Sequence, residues 1–215
     1  MDTKALRQKI LDLAIRGKLV PQDPSDEPAS VLLERIREQK KQMVKEGKLK
    51  AKDIKNDSVI FVGEDSLHYE KLADGSVKCI EDEIPFELPE GWAWARLNQI
   101  YNFIDYRGAT PTKISSGVPL ITAKNVKSGY IDYTVDDYIS EEEYADRQQR
   151  GTSRCGDILF TTEAPLGNAA IADLDKFSAG QRLITFQNYG NQELINATFL
   201  YFILSDFFSK SIKYK

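Results

Sequence analysis

The chain has 215 residues, 41% hydrophobic and 29% charged. That balance excludes a fibrous or disordered polymer and is enough for one ordinary domain or two small ones. Its longest apolar run, Phe199 to Leu204, is far short of the roughly 20 residues that a membrane helix needs, and the N-terminus MDTKALRQKILDL, with charges mixed into its apolar pattern, does not read as a signal peptide. The net charge of −4 hides an asymmetry: residues 1–57 carry 14 Lys+Arg against 10 Asp+Glu, whereas residues 58–215 carry 15 against 23. Total charge bears on solubility and steering, so a basic face for nucleic acid stays open. Cys79 and Cys155 are isolated, with no disulfide framework and no CxxC, which fits a reducing cytoplasm and no membrane.

Leu6, Ile10, Leu13, Gly17 and Val20 recur at helical spacing and predict a first helix of about 17 residues. A helix that short needs a partner helix, within the chain or on another subunit. Pro21, Pro24 and Pro28 then break the chain. A second helix is predicted with Ser25 or Asp26 as N-cap, Pro28 in its first turn, a stripe of Val31, Leu32, Ile36 and Met43, and Gly47 as its stop. The lysine-rich stretch from Glu38 to Lys55 reads as a solvated face and linker, with a DNA-backbone or partner surface as the alternative.

After Asp57 the period changes to two. Val59–Val62 is a strand, and Leu67–Leu72 and Val77–Ile80 flank an Asp74-Gly75 turn. The acidic, proline-bearing stretch 81–91 marks a domain boundary. Further strands are predicted at Trp92–Leu97, Val118–Ala123, Tyr130–Val135, Asp157–Thr162, Ala169–Ala172 and Arg182–Gln187. A last helix is predicted over Ala197–Ile212, capped by Asn196, with Leu200, Tyr201, Leu204, Phe208 and Ile212 as its stripe. The chain stops inside that apolar pattern and reads as a piece of a longer protein. The fold class is α+β (mixed α/β): a helical segment over 1–57, a β-hairpin linker over 58–83, and a β-rich domain over 84–215 that ends in a helix.

Signals for catalysis are weak. His68 is the one histidine, and no phosphate loop or GxGxxG is present. Glu141–Glu143 reads as a solvated acidic face. Asp157 and Glu163 lack a lysine placed to complete a nuclease site. Trp92 and Trp94 alternate as on one strand face and read as core rather than as a base-stacking platform, and Phe199, Tyr201, Phe202, Phe207 and Phe208 read as core or subunit contact.

Residues 6–36, LRQKILDLAIRGKLVPQDPSDEPASVLLERI, closely resemble the conserved region of type I restriction–modification specificity subunits. IPFELPEGWAWARL (84–97) is similar to the start of that family's target recognition domain. RGATP (107–111), GVPLITAKNV (117–126), GDILFTTEAPLG (156–167) and GQRLITF (180–186) are similar to landmarks within it. The resemblance implies a non-catalytic subunit that reads one half of a bipartite double-stranded DNA site. It implies methyltransferase subunits and restriction subunits as partners, with S-adenosylmethionine, ATP and Mg2+ on those partners and no cofactor in this chain. Its first helix would belong to the scaffold, so Leu6, Ile10, Leu13 and Val20 are subunit-contact candidates, with self-association through the N-terminal helices as a further possibility. The sequence departs from a whole specificity subunit in carrying one recognition domain and lacking the proline-rich junction and long helix expected after it. The alternative is an assembly module, a half-subunit or inactive cassette that binds methyltransferase and reads DNA poorly.

Base edges are read by Arg, Lys, Asn, Gln and Ser/Thr, and phosphates by cations and hydroxyls. Three glycine-bearing stretches supply such groups: Arg107, Thr110, Thr112 and Lys113; then Lys124, Asn125 and Lys127; then Gln181 and Arg182. Each also has a plain structural role open to it, with Arg107 an ordinary surface residue, Asn125 a turn-former and Gln181 an edge-strand polar group.

Overall fold

A computed structural model describes residues 2–189 together with Leu200 and Leu204. The predicted cap at Asn196, the aromatics Phe199, Tyr201, Phe202, Phe207 and Phe208, and most of the predicted last helix lie outside the described residues. Leu200 and Leu204 are helical and buried. The chain forms two compact units, Met1–Tyr101 and Asn102–Lys215. The division falls after the 81–91 stretch, which belongs to the first unit.

In the first unit, helix α1 spans Thr3–Ile15 and helix α2 spans Ala29–Lys45. Both end in the same way. Gly17 and Gly47 take left-handed backbone, with φ of 64° and 71°. The amides of Gly17 and Lys18 bond to the carbonyls of Ala14 and Leu13, and those of Gly47 and Lys48 to Val44 and Met43. This double bond pattern satisfies carbonyls that the helix leaves free. α1 therefore stops at Ile15, and Val20 lies outside the helix on which the spacing placed it. Gly17 is also crowded: a Cβ there would stand 2.8 Å from both Pro89 Cγ and the Trp92 ring. Gly17→Ala is expected to destabilise this unit by about 1–2 kcal/mol from backbone handedness alone, with the clash in addition. A denaturant titration checks this, and an unchanged midpoint would contradict the close approach.

Pro28, not Ser25 or Asp26, is the N-cap residue of α2. Ser25 is occupied locally, its amide and hydroxyl both bonding to Asp23 Oδ1 at 2.9 and 2.7 Å. Of the predicted stripe, Ile36 is buried and Val31 exposed. The lysine-rich stretch is not all solvated, because Lys40 is buried, with its Nζ 2.6 Å from Asp57 Oδ1 and 3.3 Å from the Asn98 carbonyl. A one-turn helix α3 (Ala51–Ile54) follows.

Strands β1 (Val59–Val62), β2 (His68–Lys71) and β3 (Val77–Cys79) form an antiparallel sheet in chain order, with the Asp74-Gly75 turn where the sequence places it. On its inner face, Glu70 is buried and accepts from Arg96 and from the Ser58 hydroxyl. The Arg96 guanidinium that bonds it holds the Glu70 carboxyl below its ordinary range. His68 is committed to Glu81, 2.7 Å from its carboxylate.

Trp92 and Trp94 do not lie on a strand. Their segment follows the Pro89–Gly91 corner as irregular chain and enters a short helix α4 (Leu97–Ile100). Trp92 donates to Gln22 Oε1 at 2.8 Å, and the Trp94 ring packs on Phe86 with centroids 5.1 Å apart.

The second unit holds two sheets. One orders β4 (Tyr101–Asp105), β10 (Leu183–Asn188), β7 (Ile158–Thr161) and β8 (Ala169–Ile171); the other orders β6 (Tyr138–Ile139), β5 (Val118–Ile121) and β9 (Ser178–Ala179). β5 runs parallel to β9 and antiparallel to β6. Its alternation places Leu120 in a cluster with Val118 and Ile139, and Ile121 in the main core with Ile104, Leu159, Phe177 and Leu183. Helix α5 (Glu141–Arg147) starts at Ser140, whose hydroxyl accepts from the Glu143 amide at 3.1 Å. Its three glutamates complement the helix N-terminus. They are not simply solvated: Glu143 accepts from the Thr112 amide and Glu141 pairs with Lys176.

The strand expected over Tyr130–Val135 is absent. That segment wraps around Asn125, which is 1% exposed and donates to the carbonyls of Asp132 and Val135, both at 3.0 Å.

Candidate nucleic-acid interface

Two of the three predicted stretches are joined by direct bonds in the second unit. The Thr110 hydroxyl donates to Gln181 Oε1 at 2.9 Å, which ties the 107–113 loop to the Gly180–Arg182 corner. The Thr162 amide donates to the Arg182 carbonyl at 3.1 Å, fixing that corner to the tip of the β7–β8 hairpin. The third stretch reaches the same hairpin from the other side: Asn168 Nδ2 donates to the Val126 carbonyl at 3.0 Å, and the Gly129 amide to the Ala169 carbonyl at 2.9 Å. The 162–168 tip thus links all three.

Beneath the first loop, Arg147 is buried without a carboxylate within ion-pair distance among the described residues. It donates to Ser178 Oγ (2.9 Å), the Ala109 carbonyl (3.0 Å) and the Ala179 carbonyl (2.8 Å), and lies over the Tyr106 ring. Burial draws its pKa below the ordinary arginine value. Arg150 adds a bond to the Arg107 carbonyl at 3.2 Å. Sequence reasoning missed both arginines, because a guanidinium that bonds main-chain carbonyls has no spacing signature.

The exposed groups divide by commitment. Arg107 is held by Asp105 through its Nε, and Lys113 by Asp137 at 2.6 Å. Lys127 and Arg182 have only loose partners, Asp132 at 3.9 Å and Glu163 at 3.7 Å. Lys124 is exposed, with no ion pair among the described residues. Asn125 leaves the candidate set. Its amide points inward and its Oδ1 accepts from the Thr122 amide and hydroxyl, so no edge remains for a base. Thr112 turns its amide to Glu143 and borders a cavity of about 540 Å3 with Glu142, Asp146 and Arg150, whose acidic rim is a poor surface for phosphate. Tyr130 and Leu166, both exposed, stand in the 124–130 and 162–168 loops.

On α1, Leu6 and Ile10 are 44% and 45% exposed and Leu13 is half-buried, so part of the predicted subunit-contact stripe faces outward. No group of three His, Cys, Asp or Glu able to hold a metal occurs among the described residues, and no described helix is long and apolar enough to cross a membrane.

The class defined by these features is a mixed α+β chain whose second unit presents a polar, loop-built surface on a sheet scaffold. No family model matches the chain. It is 36% identical, over 97% of its length, to the type I restriction enzyme EcoAI specificity subunit of Escherichia coli, and 47% identical over 97 residues (45% of its length) to the EcoEI specificity subunit of the same organism. It spans 33% and 13% of those two proteins. A solved HsdS subunit from Thermoanaerobacter tengcongensis superposes on 59% of this chain and 30% of that one, at 20% identity and a TM-score of 0.43. The chain is thus a sequence relative, across nearly its whole length, of part of a type I restriction enzyme specificity subunit.

Proposed function

We propose that the chain is a DNA-recognition portion of a type I restriction–modification specificity subunit, itself non-catalytic, that reads duplex DNA on behalf of methyltransferase and restriction subunits in the cytoplasm. The observation that carries this is the 36% identity over 97% of the chain to a specificity subunit. The bonded array of Thr110, Gln181 and Arg182 supports it, since Gln and Arg are the side chains best suited to adenine and guanine edges. The uncommitted Lys124 and loosely held Lys127 would set register on phosphates. The outward Leu6 and Ile10 suit a helix of a partner subunit.

Division of labour gives the test, read by binding of the full chain to duplex libraries. Gln181→Ala and Arg182→Ala are each expected to relax preference at one base position by about tenfold. Lys124→Ala is expected to weaken all sequences alike and reduce the salt slope by about 1. Equal relaxation from all three, or from none, would overturn the proposal.

A further inference from the structure

Glu163 is a carboxylate placed where a phosphate-binding surface should have none. It stands at the β7–β8 tip with its side chain 63% exposed. Among the described residues it makes no hydrogen bond, and its closest cation is Arg182 Nε at 3.7 Å; Arg107 feels its charge. Asp105 and Asp137, by contrast, are spent on close cations, and Asp132 on Thr134. Its position is set firmly. Thr162 beside it bonds the Arg182 carbonyl through both amide and hydroxyl, and Thr161 closes the tip against Asn168.

A free carboxylate among cations repels phosphate, so contact with DNA there must supply it a donor. Base edges in the major groove offer two amino groups. Adenine N6 lies beside the N7 acceptor, which repels a carboxylate; cytosine N4 has no acceptor next to it on that edge. We infer that Glu163 is a specificity residue that accepts a hydrogen bond from the N4 amino group of a cytosine, adjacent to the base read by Arg182. The inference rests on the recognition function proposed above. Repulsion of phosphate then serves selectivity, because any register that fails to present the amino group leaves the carboxylate unpaired.

The test is binding of the full chain and its Glu163→Gln and Glu163→Ala variants to duplexes that carry the selected motif, with each base in turn replaced. For the wild type, replacing one cytosine by a keto-bearing thymine is expected to cost about tenfold. Gln can donate as well as accept, so Glu163→Gln should erase that preference at the single position. Glu163→Ala should erase it too, and both should bind scrambled duplex at least as tightly as the wild type. Thermal melts of both variants should match the wild type, since only a loose, exposed ion pair is lost. An unchanged cytosine preference in both variants, or a uniform loss across all sequences, would overturn the inference while leaving recognition by the chain intact. A wild-type chain that selects no motif would overturn both.

Discussion

Arg147→Ala is expected to lower the stability of the second unit by about 3 kcal/mol or more. It strips a donor from two main-chain carbonyls and the Ser178 hydroxyl, which is buried, and each buried group left unsatisfied costs about 1–3 kcal/mol. It also removes the guanidinium lying over Tyr106. Arg147→Lys keeps the charge but not the planar fork, and should fall between alanine and wild type. Denaturant midpoints read this directly, and a loss below about 0.5 kcal/mol, the ordinary surface value, would contradict the bonding described. Because Ala109 lies in the 107–113 loop and Ala179 precedes the Gly180–Arg182 corner, the lysine variant should also blur base preference at more than one position.

Asp157 gives the second large effect, through pH. It is 2% exposed; Oδ2 accepts from the Arg154 amide and Gln187, while Oδ1 has no hydrogen-bond partner among the described residues. Burial pushes its pKa from 3.8 up to about 6. The folded state therefore holds this proton more tightly than the unfolded chain, so the stabilisation is complete below pH 4 and lost as pH rises through 6. At 1.36 kcal/mol per unit the loss is about 3 kcal/mol. Asp157→Asn does not titrate. Its stability relative to wild type should thus rise by about 2.5 kcal/mol between pH 4 and pH 8, whatever constant cost its amide adds. A difference that stays flat across that range would contradict the buried, half-satisfied carboxylate.

Legibility in the sequence followed the strength of the local signal. β1, β5, β7, β8 and β10 were readable because alternation or a continuous apolar run such as Ile158–Phe160 is itself the physical cause of a buried strand. β9, only Ser178–Ala179, was not, since two small residues pair with β5 through main-chain bonds that leave no side-chain pattern. Trp92 and Trp94 misled because their alternation is real but serves a corner, Trp92 reaching Gln22 rather than a sheet. In the candidate interface, residue type picks out loops that the fold bonds to one another, whereas the role open to each residue depends on its burial. Asn125 has the chemistry of a base reader but is wrapped by its own loop. Glu163 lacks a nearby lysine in sequence, and only the fold brings the Arg182 guanidinium to 3.7 Å from it.

Selection of random duplex DNA by the full chain, at low and then at moderate salt, separates recognition of sequence from recognition of charge. Enrichment of one short motif that survives the added salt is the predicted result, because base-edge bonds are less sensitive to counterions than phosphate contacts are. Binding that disappears with salt and leaves no enriched sequence would contradict recognition of sequence.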